Sequence, residues 1–156
     1  MGTADVEAAI ELIEANPDEC DFEGPRDERL VVLAEEALGL RFPPSYRMFL
    51  LRLGVGDFAG YEFYGLIDEN FVDSSVPNGI WVTLRERRES GLPNHMVAVY
   101  SDGMGGLFVL DTSKADPDGE CPVVVWTPGS EAGADLEVIA ADFGAFFLES
   151  AIEGLG

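Results

Sequence analysis

The stretch of sequence that decides the fold reads Leu38-Gly39-Leu40-Arg41-Phe42-Pro43-Pro44-Ser45-Tyr46-Arg47-Met48-Phe49-Leu50. Gly39 predicts the end of one helix, because glycine readily takes the left-handed conformation that follows a last helical turn. Pro43-Pro44 predicts the start of the next helix, since proline suits the first helical turn. The predicted apolar face of that helix consists of Tyr46, Phe49, Leu50 and Leu53, with Gly54 ending it.

Two helices are predicted upstream of this stretch. Between Thr3 and Asn16, apolar residues recur with the i, i+3, i+4, i+7 spacing of one buried helical face. Thr3 can cap this helix, and the proline at position 17 ends it. A second helix is expected over about 26–38, and the residues between the two helices, 17–25, are interpreted as an acidic loop.

Downstream, the pattern changes to short runs rich in aromatic and β-branched residues, which predict strands of one antiparallel sheet. These runs are 61–64, 96–100, 107–110 and 123–126. Residues 80–90 are compatible with a helix or with an irregular turn. A last helix is expected over about 141–152.

Helices first, strands next and a helix last is the α+β pattern. We therefore predict N-terminal helices packed on one face of an antiparallel sheet, with a C-terminal helix. A chain of 156 residues suits one domain, spanning 1–156. The predicted core contains Tyr46, Phe49, Leu53, Val99, Leu107, Val109, Val125 and Phe146.

The chain is strongly acidic, with 30 acids, 9 bases and a formal net charge of −21. The charge lies at the two ends of the chain: −10 over 1–40 and −10 over 101–156, against −1 over 41–100. Such a surface repels nucleic acid and anionic membranes, which need basic residues to neutralise phosphates. It attracts basic proteins and steers their approach. General solubility, or adaptation to a salt-rich interior, is the alternative explanation of the charge.

The two cysteines, Cys20 and Cys121, have no disulfide-rich or metal-like spacing, which is typical of free thiols in a reducing compartment. No basic region followed by an apolar run marks a signal peptide at the N-terminus. No stretch reaches the roughly 18 apolar residues needed to span a bilayer. We expect a cytoplasmic protein.

Candidate catalytic and metal-binding groups are few. His95 is the only histidine, and no nucleophile motif or partner for it can be named from the sequence. The acids of 111–120 lack the spacing of a calcium loop, so a solvated hairpin loop is expected there. Gly103-Met104-Gly105-Gly106 lies between strands and is interpreted as a turn. We predict no metal, no cofactor and no enzymatic activity.

The only basic cluster contains three arginines interleaved with two glutamates, and it nets +1. This pattern favours a salt-bridged polar surface over a nucleic-acid site. Its members are Arg85, Glu86, Arg87, Arg88 and Glu89.

The stretch from Leu38 to Leu50 resembles the L-G-x-x-L-P-x-S-Y-x-x-F-L signature of the SUKH superfamily, whose eukaryotic members include yeast cell-wall assembly regulators. The aromatic run ending Tyr64-Gly65-Leu66 also fits, as do 97–111 and 122–126, so the resemblance covers about residues 26–150. Phe42 stands where leucine is usual, and Gly54-Val55-Gly56-Asp57 replaces the usual N-G-G.

The resemblance implies a function. Bacterial members resemble immunity proteins, which bind and neutralise polymorphic toxins, many of them nucleases, and no catalytic residues are attributed to the fold. We therefore expect an immunity protein whose partner is a basic cognate toxin. A non-catalytic scaffold or regulatory interaction module of the same superfamily is the alternative. Candidate contact residues are the loop acids Asp18, Glu19, Asp21 and Glu23, with Asp57 and Asp102 on glycine-rich turns.

Overall fold

The computed structural model describes residues 2–131 and 135–156. The helices of these residues are α1 (Thr3–Ala15), α2 (Glu28–Leu38), α3 (Pro44–Arg52), α4 (Gly79–Ser90) and α5 (Phe143–Leu155). The strands are β1 (Cys20–Phe22), β2 (Gly56–Phe58), β3 (Tyr61–Phe63), β4 (Met96–Ser101), β5 (Leu107–Asp111), β6 (Val123–Trp126) and β7 (Val138–Ala140). Short 3₁₀ turns occupy Pro17–Glu19 and Thr112–Lys114.

The seven described strands form one sheet in chain order, and every neighbouring pair is antiparallel. The central register pairs Phe63 with Tyr100 and Tyr100 with Phe108, so aromatic side chains line up across three strands. A register shift interrupts β4 between Ala98 and Tyr100. N-terminal helices, an antiparallel sheet and a C-terminal helix confirm the predicted α+β fold.

Two clusters of buried apolar side chains stabilise the sheet. The larger one joins the sheet to α1, α2, α3 and α5 and contains Val97 and Val99 of β4. The smaller one contains Ala98 between them, together with Val82 of α4 and Trp126. Because successive strand residues point to opposite faces, the two clusters lie on opposite sides of β4.

Five of the eight predicted core residues are buried: Tyr46, Phe49, Val99, Val109 and Phe146. Leu53, Leu107 and Val125 are only half-buried. Leu53 packs against the larger cluster and Leu107 against the smaller one, so these two lie at the edge of the core. Leu53 follows the last turn of α3 as its C-cap. Leu107 and Val125 belong to the last two residue pairs of the β5–β6 ladder.

The strands β1, β2 and β7 were not predicted, and each contains only three residues. Such short runs show too little alternation to be recognised. Asp21 lies in a strand and not in a loop, and Asp57 lies in a strand and not on a turn.

The segment left open between a helix and a turn is the helix α4. Asn78 caps its start, accepting hydrogen bonds from the backbone N–H groups of Ile80 and Trp81 at 3.0 and 3.1 Å. Thr3, by contrast, does not cap α1: it is the first helical residue, and Gly2 stands at the capping position.

Three helices begin close together around two buried carboxylates. Glu120 accepts hydrogen bonds from the backbone N–H of Ser45 at 3.0 Å and from its hydroxyl at 2.7 Å. The N–H of Gly144 donates to the same hydroxyl at 3.2 Å. Asp142 accepts from the N–H of Gly2 at 3.1 Å. Positive helix N-termini stabilise such carboxylates, and this junction places the acidic helices α1 and α5 side by side.

The expected solvated hairpin loop at 111–120 is correct only for its middle. Asp111 and Glu120, at its two ends, are buried, whereas 115–118 are exposed. Among residues 2–131 and 135–156, no helix combines the length and apolar character needed to cross a bilayer.

Candidate functional site

The structure gathers five of the six candidate contact residues around β1 and β2 and places the sixth elsewhere. Asp18 and Glu19 lie in the 3₁₀ turn before β1, and Glu23 directly follows β1. Asp102 lies in the turn after β4. Five of the six are exposed, and Asp57 is half-buried.

Strand register aligns three carboxylates across the sheet. Asp21 of β1 pairs with Asp57 of β2, and Asp57 pairs with Glu62 of β3. We call these three residues the acidic row. The neighbouring residues Phe58 and Phe63 belong to the main core. The acidic row therefore lies on the opposite side of the sheet.

Sequence reasoning missed Glu62. The signal was present, because Glu62 is the polar residue between two aromatic residues of a predicted strand. What could not be seen was the pairing that puts this glutamate beside Asp57, since β2 itself was not predicted.

The acidic row opposes folding. Like charges directly opposite one another in a sheet are destabilising. Among the described residues, no ion pair joins Asp21, Asp57 or Glu62 to a base. A row of this kind is suited to receive positive charge from outside the chain, which would relieve the repulsion.

A second surface feature lies on the main-core side of the sheet. It is a groove of about 520 Å³ between α5 and the aromatic residues of β3, β4 and β5. We call it the tyrosine groove. Its floor includes Tyr61, Tyr100 and Phe108, and its acidic members are Asp102, Glu149 and Glu153. The predicted contact residue Asp102 is thus a rim residue of this groove.

The two cysteines are poorly suited to nucleophilic chemistry. Burial raises the pKa of the Cys20 thiol, and the charges of Glu19 and Asp57 raise it further. Burial, followed by the charge of Glu120, raises the pKa of the Cys121 thiol to about 11. Because the thiolate is the reactive form, a raised pKa makes both thiols less nucleophilic at neutral pH than an ordinary cysteine.

His95 has a carboxylate neighbour that could not be named from the sequence. Its Nε2 lies 3.5 Å from Oδ1 of the buried Asp111. The same oxygen accepts hydrogen bonds from the backbone N–H of Ser113 at 3.1 Å and from its hydroxyl at 2.5 Å. The hydroxyl therefore bonds to the carboxylate and not to the imidazole, so the nucleophile–base contact of a catalytic triad is missing from this group.

Two of the three clustered arginines form the predicted salt bridges, in the pairs Arg85–Glu86 at 3.1 Å and Arg88–Glu89 at 3.6 Å. Arg87 does something else: it donates hydrogen bonds to the carbonyl oxygens of Leu38 and Asn94 at 2.9 and 2.7 Å. It thereby ties the end of α2 to the loop after α4.

The stretch from Leu38 to Leu50 contributes to the fold by ending α2 and attaching α3 to the sheet. Gly39 ends α2 in the left-handed conformation, with φ of 72°. The buried Tyr46 donates its hydroxyl hydrogen to the carbonyl oxygen of Tyr64 at 2.9 Å and so fixes α3 to the end of β3.

The model of the family SUKH_6, described as SMI1-KNR4 cell-wall, matches residues 28–147.

This chain belongs to the SUKH_6 family. The matched region begins at the first residue of α2 and ends within α5. Asp57, Glu62 and Asp102 lie inside the SUKH_6 match, whereas α1, β1 and the four acids of 18–23 precede it. Two members of the acidic row, Asp57 and Glu62, therefore lie inside the matched region, and Asp21 lies before it.

Proposed function

We propose that this SUKH_6 protein is an immunity protein that binds and neutralises a cognate polymorphic toxin, with a basic nuclease-type domain as its target. The observation that carries the proposal is the acidic row. Three carboxylates aligned across adjacent strands oppose folding, and an arrangement of that kind is useful where a basic partner supplies the missing charge.

The proposed contacts extend outward from the row. Asp18, Glu19 and Glu23 flank its edge strand, and Asp102 belongs to the tyrosine groove. A nuclease is basic where it holds its substrate, since phosphates must be neutralised. A protein with a net charge of −21 can cover that basic surface and exclude nucleic acid from it.

Neutralisation by binding needs no catalytic group in this chain. The raised pKa values of both thiols and the carboxylate-bound Ser113 agree with a non-catalytic role. Two free cysteines also agree with a reducing, cytoplasmic location. We therefore propose that the protein is non-catalytic and cytoplasmic.

The second candidate is a non-catalytic scaffold or regulatory interaction module. The description of the matching family, SMI1-KNR4 cell-wall, favours it. The two candidates differ in their partner: an immunity protein binds a toxin encoded beside it, whereas a scaffold binds a component of a larger assembly.

The test is the rate of association with the toxin domain encoded by the neighbouring gene. It is measured by stopped-flow fluorescence at low and high salt. The proposal predicts fast association that slows as salt rises. A variant carrying Asp21→Asn, Asp57→Asn and Glu62→Gln should associate more slowly and with a weaker dependence on salt.

Two further variants complete the design. One neutralises Asp18, Glu19, Asp21 and Glu23 together, and should also slow association. The control is Asp73→Asn, which removes an exposed acid from the loop before α4 and should change nothing. If neither salt nor neutralisation alters the rate, electrostatic capture is wrong and an apolar or shape-matched surface must carry recognition.

A further inference from the structure

The tyrosine groove combines half-buried aromatic rings with carboxylates that form no ion pair among the described residues. The rings of Tyr61 and Tyr100 are 6.3 Å apart and nearly parallel, with 29° between their planes. Phe108 extends the same surface, with its ring centroid 5.2 Å from that of Tyr100. All three residues are half-buried and line the groove.

The opposite wall belongs to α5. Ile152 is 55% exposed there and adds an apolar side chain to the groove. Glu149 and Glu153 on the same helix are exposed. Together with Asp102 they give the groove three carboxylates, and none of its described lining residues is a base.

The groove is electrically negative at the level of its rings. Partial burial and the nearby charges of Asp102 and Glu153 raise the pKa of Tyr100. Partial burial, with a hydrogen bond to Glu153, raises the pKa of Tyr61. The negative charges of Asp102 and Glu153 are therefore felt at the tyrosine rings that form the floor of the groove.

We propose that the tyrosine groove binds an arginine side chain of the basic partner protein, with the guanidinium over the tyrosine rings and paired to the rim carboxylates. This rests on the proposed function, because it names how the same basic partner is held. Arginine suits the groove better than lysine, since its planar guanidinium stacks on aromatic faces and pairs with carboxylates in a fixed geometry.

The chain contains the same combination within itself. The guanidinium of Arg85 lies over the Trp81 ring, 4.6 Å from the centroid, and pairs with Glu86 at 3.1 Å. On α4 the chain supplies all three components. In the tyrosine groove it supplies the aromatic rings and the carboxylates only, so the cation must come from another molecule.

The experiment is an NMR titration of the isotope-labelled protein with a blocked glycine–arginine–glycine peptide. The comparison peptide carries citrulline, which keeps the shape of arginine but replaces the charged guanidinium by a neutral urea. The proposal predicts saturable shifts at Tyr61, Tyr100 and Ile152 with the arginine peptide only. Equal shifts with both peptides, or saturable shifts confined to the acidic row, would overturn it.

Variants separate binding from folding. Tyr100→Leu removes a ring and should weaken arginine-peptide binding about two- to fivefold, whereas Tyr100→Phe keeps the ring and should bind nearly as well as the parent. Glu153→Gln, on the exposed side of α5, should also weaken binding about two- to fivefold. Glu14→Gln, an exposed acid of α1, should not. The proposal is contradicted if Tyr100→Leu and Glu153→Gln both bind the arginine peptide as tightly as the parent.

The neighbouring toxin domain then distinguishes the two proposals. If the toxin binds the parent and the groove variants equally well, the groove is wrong and the immunity proposal stands. If the peptide discriminates as expected but the toxin does not bind, the groove stands and the immunity proposal fails.

Discussion

Replacing the central carboxylate of the acidic row should stabilise the protein while weakening its partner binding. Asp57 faces Asp21 on one side and Glu62 on the other, so Asp57→Asn removes two like-charge contacts at once. Each such contact opposes folding by roughly 0.2–1 kcal/mol. Because the carboxylates are partly solvated, we expect a total gain of about 0.5–1 kcal/mol.

That gain converts to a Tm increase of about 1–4 °C for a chain of this length. Thermal unfolding followed by circular dichroism at low salt measures it. Salt screens exposed charges, so the difference between Asp57→Asn and the parent should shrink at high salt. The control Asp73→Asn removes the same kind of charge from a loop and should leave Tm nearly unchanged.

The reasoning is refuted if Asp57→Asn is no more stable than the parent at low salt. It is also refuted if the gain is unaffected by salt, or if Asp73→Asn gains as much. A gain that salt does not affect would mean that the stabilisation is not electrostatic. An equal gain in Asp73→Asn would mean that it comes from lower net charge in general, and in both cases the aligned pairing of the row would have no special weight.

Three further outcomes are expected. Phe49→Ala should lower the free energy of unfolding by about 3–5 kcal/mol in a denaturant titration, because Phe49 is fully buried among aromatic rings. A loss below about 1 kcal/mol would contradict its place in the core. His95→Ala should leave toxin neutralisation intact in a folded protein, and loss of protection would instead assign a functional role to its contact with Asp111. Burial raises the pKa of Glu120 and outweighs its two hydrogen bonds from Ser45, so the folded state holds this proton more tightly than the unfolded chain. Stability should therefore fall as the pH rises through that pKa. Tm measured against pH at high salt should show this slope in the parent and lose it in Glu120→Gln.

The fold could be predicted because its strongest signals are local. The helical spacing of the chain before Asn16, the glycine and prolines around α3, and the β-rich runs of β4, β5 and β6 each specify their element without reference to distant residues. The resemblance at 38–50 is strong for the same reason. Its residues cap α2, open α3 and, through Tyr46, anchor that helix to the sheet.

The candidate surfaces could be predicted only in part, because both depend on pairing between distant strands. The sequence predicts Asp21 as a loop acid and Asp57 as an acid on a glycine-rich turn. Their alignment follows from the pairing of β1 with β2, two strands that are too short to be recognised. The buried position of Glu120 was missed for a similar reason. Its hydrogen-bond partner is Ser45, 75 residues earlier in the chain, and no local pattern reports that contact.

The most direct measurement is a titration of the neighbouring toxin domain's activity with increasing amounts of this protein. A non-catalytic immunity protein forms a defined complex, so toxin activity should fall linearly and reach zero near equimolar protein. The variant lacking all three charges of the acidic row should need a large excess. If far less than one mole of this protein per mole of toxin domain abolishes the toxin's activity, the protein acts catalytically. If a large excess of the parent protein has no effect on that activity, it is not an immunity protein for that toxin. Either result contradicts the proposed function.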